Sequence, residues 1–196
     1  VHGRDFDEAK DECARAAESR GLHFVPSFHA NLVKGVSTYA LELFRAAGEL
    51  DVVYAPIGMG SGICGIIQAR DLLGLKTEIV GVVADQAPCV ALSFESGGPV
   101  PTNSARTFAD GMACRDPHPA ALAIICKGAA RILRLTEDEI AEAIRVYYED
   151  THNLAEGAGA AALAGLMREK ARYQGKRAGV ILSGGNIDRP TFRTVL

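Results

Sequence analysis

The residues with the clearest chemical potential are Gly58-Met59-Gly60-Ser61-Gly62-Ile63-Cys64-Gly65. They follow an apolar run of strand length, DVVYAPI at 51–57, and lead into an apolar segment over 62–73 that reads as a helix. A helix beginning there offers free backbone N–H groups and the positive end of its dipole, a setting that favours an anion. Glycines let the main chain approach phosphate oxygens with no Cβ in the way. The bland reading is a tight strand-to-helix turn that merely needs small residues. A sharper rival is a dinucleotide site. Gly60, Gly62 and Gly65 satisfy G-x-G-x-x-G, and Asp85 lies about 20 residues further on, where an NAD(P)- or FAD-binding fold places its ribose partner.

The rest of the chain supplies the elements that would hold such a turn. Asp5 followed by Glu8 reads as a capping box opening a helix to about Arg20, with Gly21 ending it. Leu22 to Val25 is a short strand candidate, and Leu32, Val36, Tyr39, Ala40, Leu43 and Phe44 recur at helical spacing until Gly48. Thr77 to Ala84 is a second strand, and a helix over 87–95 precedes a loop, GGPVPTNSART. Further on come a helix over 118–127, a strand at Arg131 to Leu135, and a capping box at Thr136 and Glu139 for a helix to about Glu149. The Ala-rich stretch 156–173 reads as helical, and AGVILS at 178–183 has the pattern of a buried strand. Alternating strands and helices with short connections predict an α/β fold, a mostly parallel sheet with helices on both faces in three layers.

Several segments carry a resemblance in a fixed order. Pro56-Ile57-Gly58-Met59-Gly60-Ser61 resembles the glycine loop that holds the cofactor phosphate in fold-type-II, tryptophan synthase β-like pyridoxal-phosphate enzymes. The likeness is to the serine/threonine dehydratases, the group that includes threonine ammonia-lyases and serine racemases. Phe6-Asp7-Glu8-Ala9 is similar to the helix start after the small domain. Ala109-Asp110-Gly111-Met112 is similar to the A-D/E-G-V segment, Ala155-Glu156-Gly157-Ala158-Gly159-Ala160 to the E-P-S/T-G segment, and Leu182-Ser183-Gly184-Gly185-Asn186 to the terminal S-G-G-N. One such match is weak; several in family order across nearly the whole chain are specific.

The resemblance implies pyridoxal 5′-phosphate as cofactor. The amides of Gly58, Met59, Gly60, Ser61 and Gly62 would cradle its phosphate, and Ser183 would meet the pyridine nitrogen. Glu156 would lie beside the ring, and Asp110 would be an acidic group on the substrate side. Taken alone, each of these carboxylates reads more naturally as solvated or capping, and Ser183 could simply cap a turn. Met59 and Ser61 replace two of the usual glycines, and the Ser61 hydroxyl could add a donor. The implied reaction is loss of the Cα proton and the β-hydroxyl from a 3-hydroxy amino acid such as threonine or serine, giving an aminoacrylate-type enamine that hydrolyses to a 2-keto acid and ammonia.

Departures matter as much. The family's Schiff-base lysine sits in an S-x-K-x-R-G-type motif upstream of everything matched here, and none of Lys10, Lys34, Lys76, Lys127, Lys170 or Lys176 has that context. The resemblance therefore makes residues 1–196 the C-terminal part of the cofactor-binding large domain. The small substrate domain and the N-terminal part are missing, so the chain alone is expected to be inactive. A catalytically inactive remnant that still binds cofactor is a second possibility. Where some relatives carry divalent-cation ligands, Val83 and Cys89 stand instead of carboxylates, and the five histidines have no ligand spacing, so no metal is expected.

Composition excludes other classes. With 196 residues and 48% hydrophobic content the chain can bury a core, and a formal charge of −3 gives no basic footprint for nucleic acid. No apolar run approaches bilayer length. Five cysteines without a CxxC pairing fit reduced thiols in a cytoplasmic protein. By analogy the complete enzyme would be a homo-oligomer acting on a small amino acid.

Overall fold

A computed structural model describes residues 2–196. Its centre is a parallel four-stranded sheet in the order β3-β2-β1-β4, built from β1 (Val52–Pro56), β2 (Glu78–Ala84), β3 (Arg131–Leu135) and β4 (Ala178–Val180). The register pairs Tyr54 with both Val80 and Val180, which fixes β2 and β4 on either side of β1. Alternation along β1 sorts side chains to opposite faces. Val53 and Ala55 enter one core with α2 (Ala30–Ala47), α3 (Ser61–Leu72), α4 (Cys89–Ser96) and α5 (Pro119–Gly128). Val52 and Tyr54 enter the other core with α6 (Glu137–Thr151), α7 (Gly157–Arg168) and α8 (Arg189–Val195). The expected α/β, three-layer architecture is what the chain adopts.

The connections explain where a ligand can sit. The chain steps from β1 through α3 to β2, then through α4 and α5 to β3, always away from β1 on one side. It then crosses the opposite face through α6 and α7 and returns to the far side of β1 as β4. The direction of travel therefore reverses between β1 and β4, and a crevice opens beyond their carboxyl ends, the usual place for ligands in open parallel sheets.

Local chemistry sets the helix ends. The α6 capping box is complete: Thr136 Oγ1 accepts from the Glu139 amide, and the Glu139 carboxylate accepts from the Thr136 amide at 2.8 Å. The box expected at α1 (Phe6–Ser19) is only half formed. Asp5 accepts from the Glu8 amide, but the Glu8 carboxylate takes the amide of Arg4 instead of that of Asp5. Helix α1 buries only Asp7 and Ala17 and is held by polar contacts. Asp7 accepts from the Arg115 amide at 2.9 Å, while Asp5 takes the Arg115 guanidinium on both oxygens, at 2.6 and 3.2 Å.

Three expectations are corrected. Residues 22–25 form no strand; Leu22 and Val25 are exposed, so the segment has neither a sheet partner nor a core to enter. The strand expected over 178–183 stops at Val180 and is half-buried, because β4 lies at the sheet edge. The helical stretch expected over 156–173 ends as an α-helix at Arg168 and tightens into a 3₁₀ turn, Lys170–Tyr173. Helix α7 is lined with buried small residues, Gly157 to Ala162 with Ala164 and Gly165, and lies almost directly on the sheet. A Cβ added at Gly165 would come within 2.7 Å of Val82 Cγ1.

Candidate cofactor site

Strand β1 ends at Pro56, and the Ile57 amide still donates to Val82 at 2.9 Å before the chain turns. Gly58 passes so close to the 3₁₀ turn Asp110–Met112 that a Cβ would stand 2.2 Å from the Gly111 carbonyl oxygen. Gly60 then caps α3 with φ at +95°, in the left-handed region that glycine enters without strain. The first helical bond of α3 runs from the Cys64 amide to the Gly60 carbonyl at 3.0 Å. Among the described residues, the amides of Met59, Gly60, Ser61, Gly62 and Ile63 find no acceptor in the protein. These are the orphan donors of a helix start, gathered on one turn.

Four of those residues, Met59 to Gly62, border a cavity of about 650 Å³ in the crevice between β1 and β4. One end is the glycine turn, with Gly58, Met59, Gly60, Ser61 and Gly62 all on its lining. Val180, Ile181, Leu182 and Ser183 bring the carboxyl end of β4 to the other side. Gly111, Glu156 and Ala158 form a third wall, and Tyr39 and Leu43 of α2 face them. Two parts of the chain about 120 residues apart thus meet around one space.

The loop that carries Ser183 is positioned from α7. The Glu156 amide donates to the Gly184 carbonyl at 3.1 Å, and the Glu156 carboxylate accepts from the Asn186 amide at 2.9 Å. The loop lies flat on the helix start because Gly159 offers no side chain; a Cβ there would stand 2.1 Å from the Gly184 oxygen. Ser183 itself is exposed toward the cavity, and its hydroxyl makes no hydrogen bond within the described residues. Asp110 is placed differently. It opens the 3₁₀ turn with its side chain exposed, and its neighbour Gly111, not Asp110, borders the cavity.

Other candidates lie elsewhere. No lysine borders this cavity; Lys76 and Lys176 line a separate hollow of about 800 Å³ at the opposite end of the sheet, among charges of both signs. Asp85, the acidic residue of the dinucleotide reading, does not border the cavity either. His29 caps α2 by accepting from the Asn31 amide at 3.1 Å. Val83 and Cys89 are both buried in the core. Among the described residues no cluster of three or more His, Cys, Asp or Glu could hold a metal ion. Tyr39 escaped sequence reading: its spacing marks it as a packing residue, and only the meeting of α2 and α3 brings its hydroxyl within 3.3 Å of the Gly62 carbonyl.

A phosphate-bearing ligand fits this donor set. Position 62 is the test, because a Cβ added there would meet no protein atom nearer than the Tyr39 hydroxyl at 3.6 Å. The protein itself has room for a methyl group there, and Gly62 borders the cavity on the turn that carries the free amides.

A sheet of this topology, with an anion cradle and a ring-sized space at its reversal point, defines a cofactor-binding α/β domain. The profile of the pyridoxal-phosphate dependent enzymes matches residues 1–184, and the chain belongs to that family. It is 31% identical to the biosynthetic L-threonine dehydratase IlvA of Salmonella typhimurium, over 100% of this chain and 38% of the relative. It is 35% identical to an L-threonine ammonia-lyase of Geobacter sulfurreducens, over 99% of this chain and 48% of the relative. Among solved structures, the processed form of threonine deaminase isoform 2 from Solanum lycopersicum superposes with a TM-score of 0.92 at 28% identity, over 99% of this chain and 57% of that one. The chain therefore spans less than two thirds of each of these relatives. The family's cofactor is pyridoxal phosphate.

Proposed function

We propose that this chain is the C-terminal part of the cofactor-binding domain of an enzyme that eliminates water from a 3-hydroxy amino acid such as threonine or serine, the resulting enamine then taking water back and releasing ammonia. A 2-keto acid would be the product. The observation that carries the reading is that the glycine turn at 58–62 and Ser183 border the same cavity. The threonine dehydratase and ammonia-lyase relatives support the substrate class.

Each residue has a definable task. The amides from Gly58 to Gly62 and the Ser61 hydroxyl would hold the phosphate, aided by the dipole of α3. Glu156 stands beside the space for the ring and keeps the 183–186 loop in place. Ser183 would donate to or accept from the pyridine nitrogen. A serine hydroxyl is too weak an acid to hold a proton there, which favours elimination over transamination. Asp110 is the acidic group we assign to the substrate side. When bound, pyridoxal phosphate supplies the electron sink that accepts the pair left behind at Cα. The lysine that anchors it would come from another segment of the protein, together with the small domain that holds the substrate carboxylate.

Among the described residues no helix is long and apolar enough to cross a membrane. We place the complete enzyme in the cytoplasm as a homo-oligomer. The test is to incubate the complete protein and pyridoxal phosphate with L-threonine, L-serine and 3-hydroxyaspartate and measure 2-keto acid and ammonia. Release of both from at least one substrate, reduced by Ser183→Ala, is expected. Tight binding of NAD with no binding of pyridoxal phosphate would overturn the reading.

A further inference from the structure

Tyr39 belongs to no motif, yet it stands where the proposed phosphate would lie. It projects from α2 toward the first turn of α3 and borders the cavity together with Gly60, Ser61 and Gly62. Its hydroxyl donates to the Gly62 carbonyl across 3.3 Å, a long bond for an O–H donor. That carbonyl lies in the first turn of α3 and already has a partner in the helical ladder one turn later. The phenol proton is thus not needed where it points, and turning it away leaves no backbone group orphaned.

The space it can turn into is defined by the glycines. At Gly58 and Gly60 the absence of a side chain is dictated by protein atoms at 2.2 Å and 3.0 Å. At Gly62 the neighbour is the Tyr39 oxygen itself, at an ordinary contact distance of 3.6 Å. The volume left open at position 62 therefore has the Tyr39 phenol beside it, and both border the cavity lined by the turn that carries the free amides. Burial pushes the Tyr39 hydroxyl up to about 12, so it remains a proton donor throughout the range in which a phosphate monoester is anionic.

We propose that Tyr39 is a phosphate-binding residue whose hydroxyl turns from the Gly62 carbonyl to an oxygen of the ligand's phosphate. The proposal rests on the reading that the turn at 58–62 seats that phosphate, and it adds a side-chain donor to a cradle otherwise made of main chain and Ser61. Its consequence is selectivity: Tyr39 contributes to the affinity of phosphorylated ligands and nothing to that of their unphosphorylated counterparts.

The experiment compares 4′-deoxypyridoxine 5′-phosphate with 4′-deoxypyridoxine, neither of which can condense with a lysine. Both are titrated by equilibrium dialysis into the full chain and into Tyr39→Phe, which removes one oxygen and keeps the packing ring. The phosphorylated ligand is expected to bind roughly 10- to 100-fold more weakly to the variant, as for loss of a hydrogen bond to a charged group. The unphosphorylated ligand is expected to bind both proteins equally. Equal weakening of both ligands would show a packing role and overturn the proposal, and so would no weakening of either. If the unaltered chain itself shows no preference for the phosphorylated ligand, the glycine-turn reading fails, an outcome distinct from the failure of Tyr39 alone.

Discussion

Glu156 makes its contacts in two directions, toward the cavity and toward the loop that bears Ser183. Its carboxylate is the acceptor for the Asn186 amide, so Glu156→Ala removes a charge-assisted bond and leaves that amide to water. A loss of about 1.5–3 kcal/mol is expected for a bond of this kind, read from urea unfolding, together with faster hydrogen exchange at Asn186. Gly159→Ala tests the same junction from the other side. A methyl group 2.1 Å from the Gly184 oxygen must lift the loop. The variant is expected to keep its affinity for inorganic phosphate at positions 58–62 while losing affinity for the ring-bearing analogue, measured by competition between the two. At this scale the sequence was informative wherever a function is carried by consecutive residues, as in the glycine turn and in Ser183-Gly184-Gly185-Asn186. It was silent on Tyr39, whose contact with Gly62 joins two helices 23 residues apart in sequence. It marked the segment Ala109-Asp110-Gly111-Met112 but favoured the carboxylate of Asp110, whereas Gly111 is the residue that borders the cavity.

Among the elements, α1 is the one held by charge. Arg115 binds Asp5 through its guanidinium and Asp7 through its amide, and little apolar surface backs them. Arg115→Ala is expected to make residues 2–21 the first site of limited proteolysis, and added salt should move the parent chain the same way. The hydrogen bond from Arg115, with help from the Glu8 amide, holds the Asp5 carboxyl below its usual 3.8. A depressed folded-state value means that the stabilisation is complete above the unfolded value. It is lost as the pH falls through the lower folded one. Helix α1 should therefore loosen below about pH 3.8 in the parent chain, seen as rising amide exchange, with a smaller transition in Arg115→Ala, where only the Glu8 amide still favours the Asp5 carboxylate. Strong local signals explain which elements could be read in advance. The apolar runs of β1 and β2 and the Thr136–Glu139 box specify their structure within a few residues. The run at 22–25 has strand-like composition but no neighbour to pair with, and β4 is cut short because an edge strand is bonded on one side only. Propensity does not contain either fact. The short α8 depends on Asp188 accepting from the Thr191 amide, a cap in a segment too brief for periodicity to register.

For the molecule as a whole, the reversal of strand order between β1 and β4 places the cavity on the sheet's carboxyl edge and the mixed-charge hollow at the other end. A ligand in the cavity would touch residues from α2, the β1–α3 turn, α7 and the segment after β4, and so would bridge both cores. Binding should then protect the entire fold. With 4′-deoxypyridoxine 5′-phosphate at 100 times its dissociation constant, mass action gives about 2.7 kcal/mol of added stability, visible as a rise in the thermal midpoint. The α/β class and the strand sequence were legible because alternation is a global pattern. The order of strands was not, since nothing local in AGVILS states which neighbour it will join.

Helix α7 has a further consequence. Because it meets the sheet with hydrogens and methyl groups, its standoff is set by main-chain contact, and any longer side chain on that face works as a shim. Thickening position 161 or 162, on the face of Gly165, by two methyl groups should tilt Glu156 and the loop above it outward, widening one jaw of the cavity while the glycine turn, anchored on the opposite face, stays where it is. A graded series of Ala→Val and Ala→Leu changes along α7 would thus act as a mechanical adjustment of ligand width, made from a helix whose middle turns never touch the ligand.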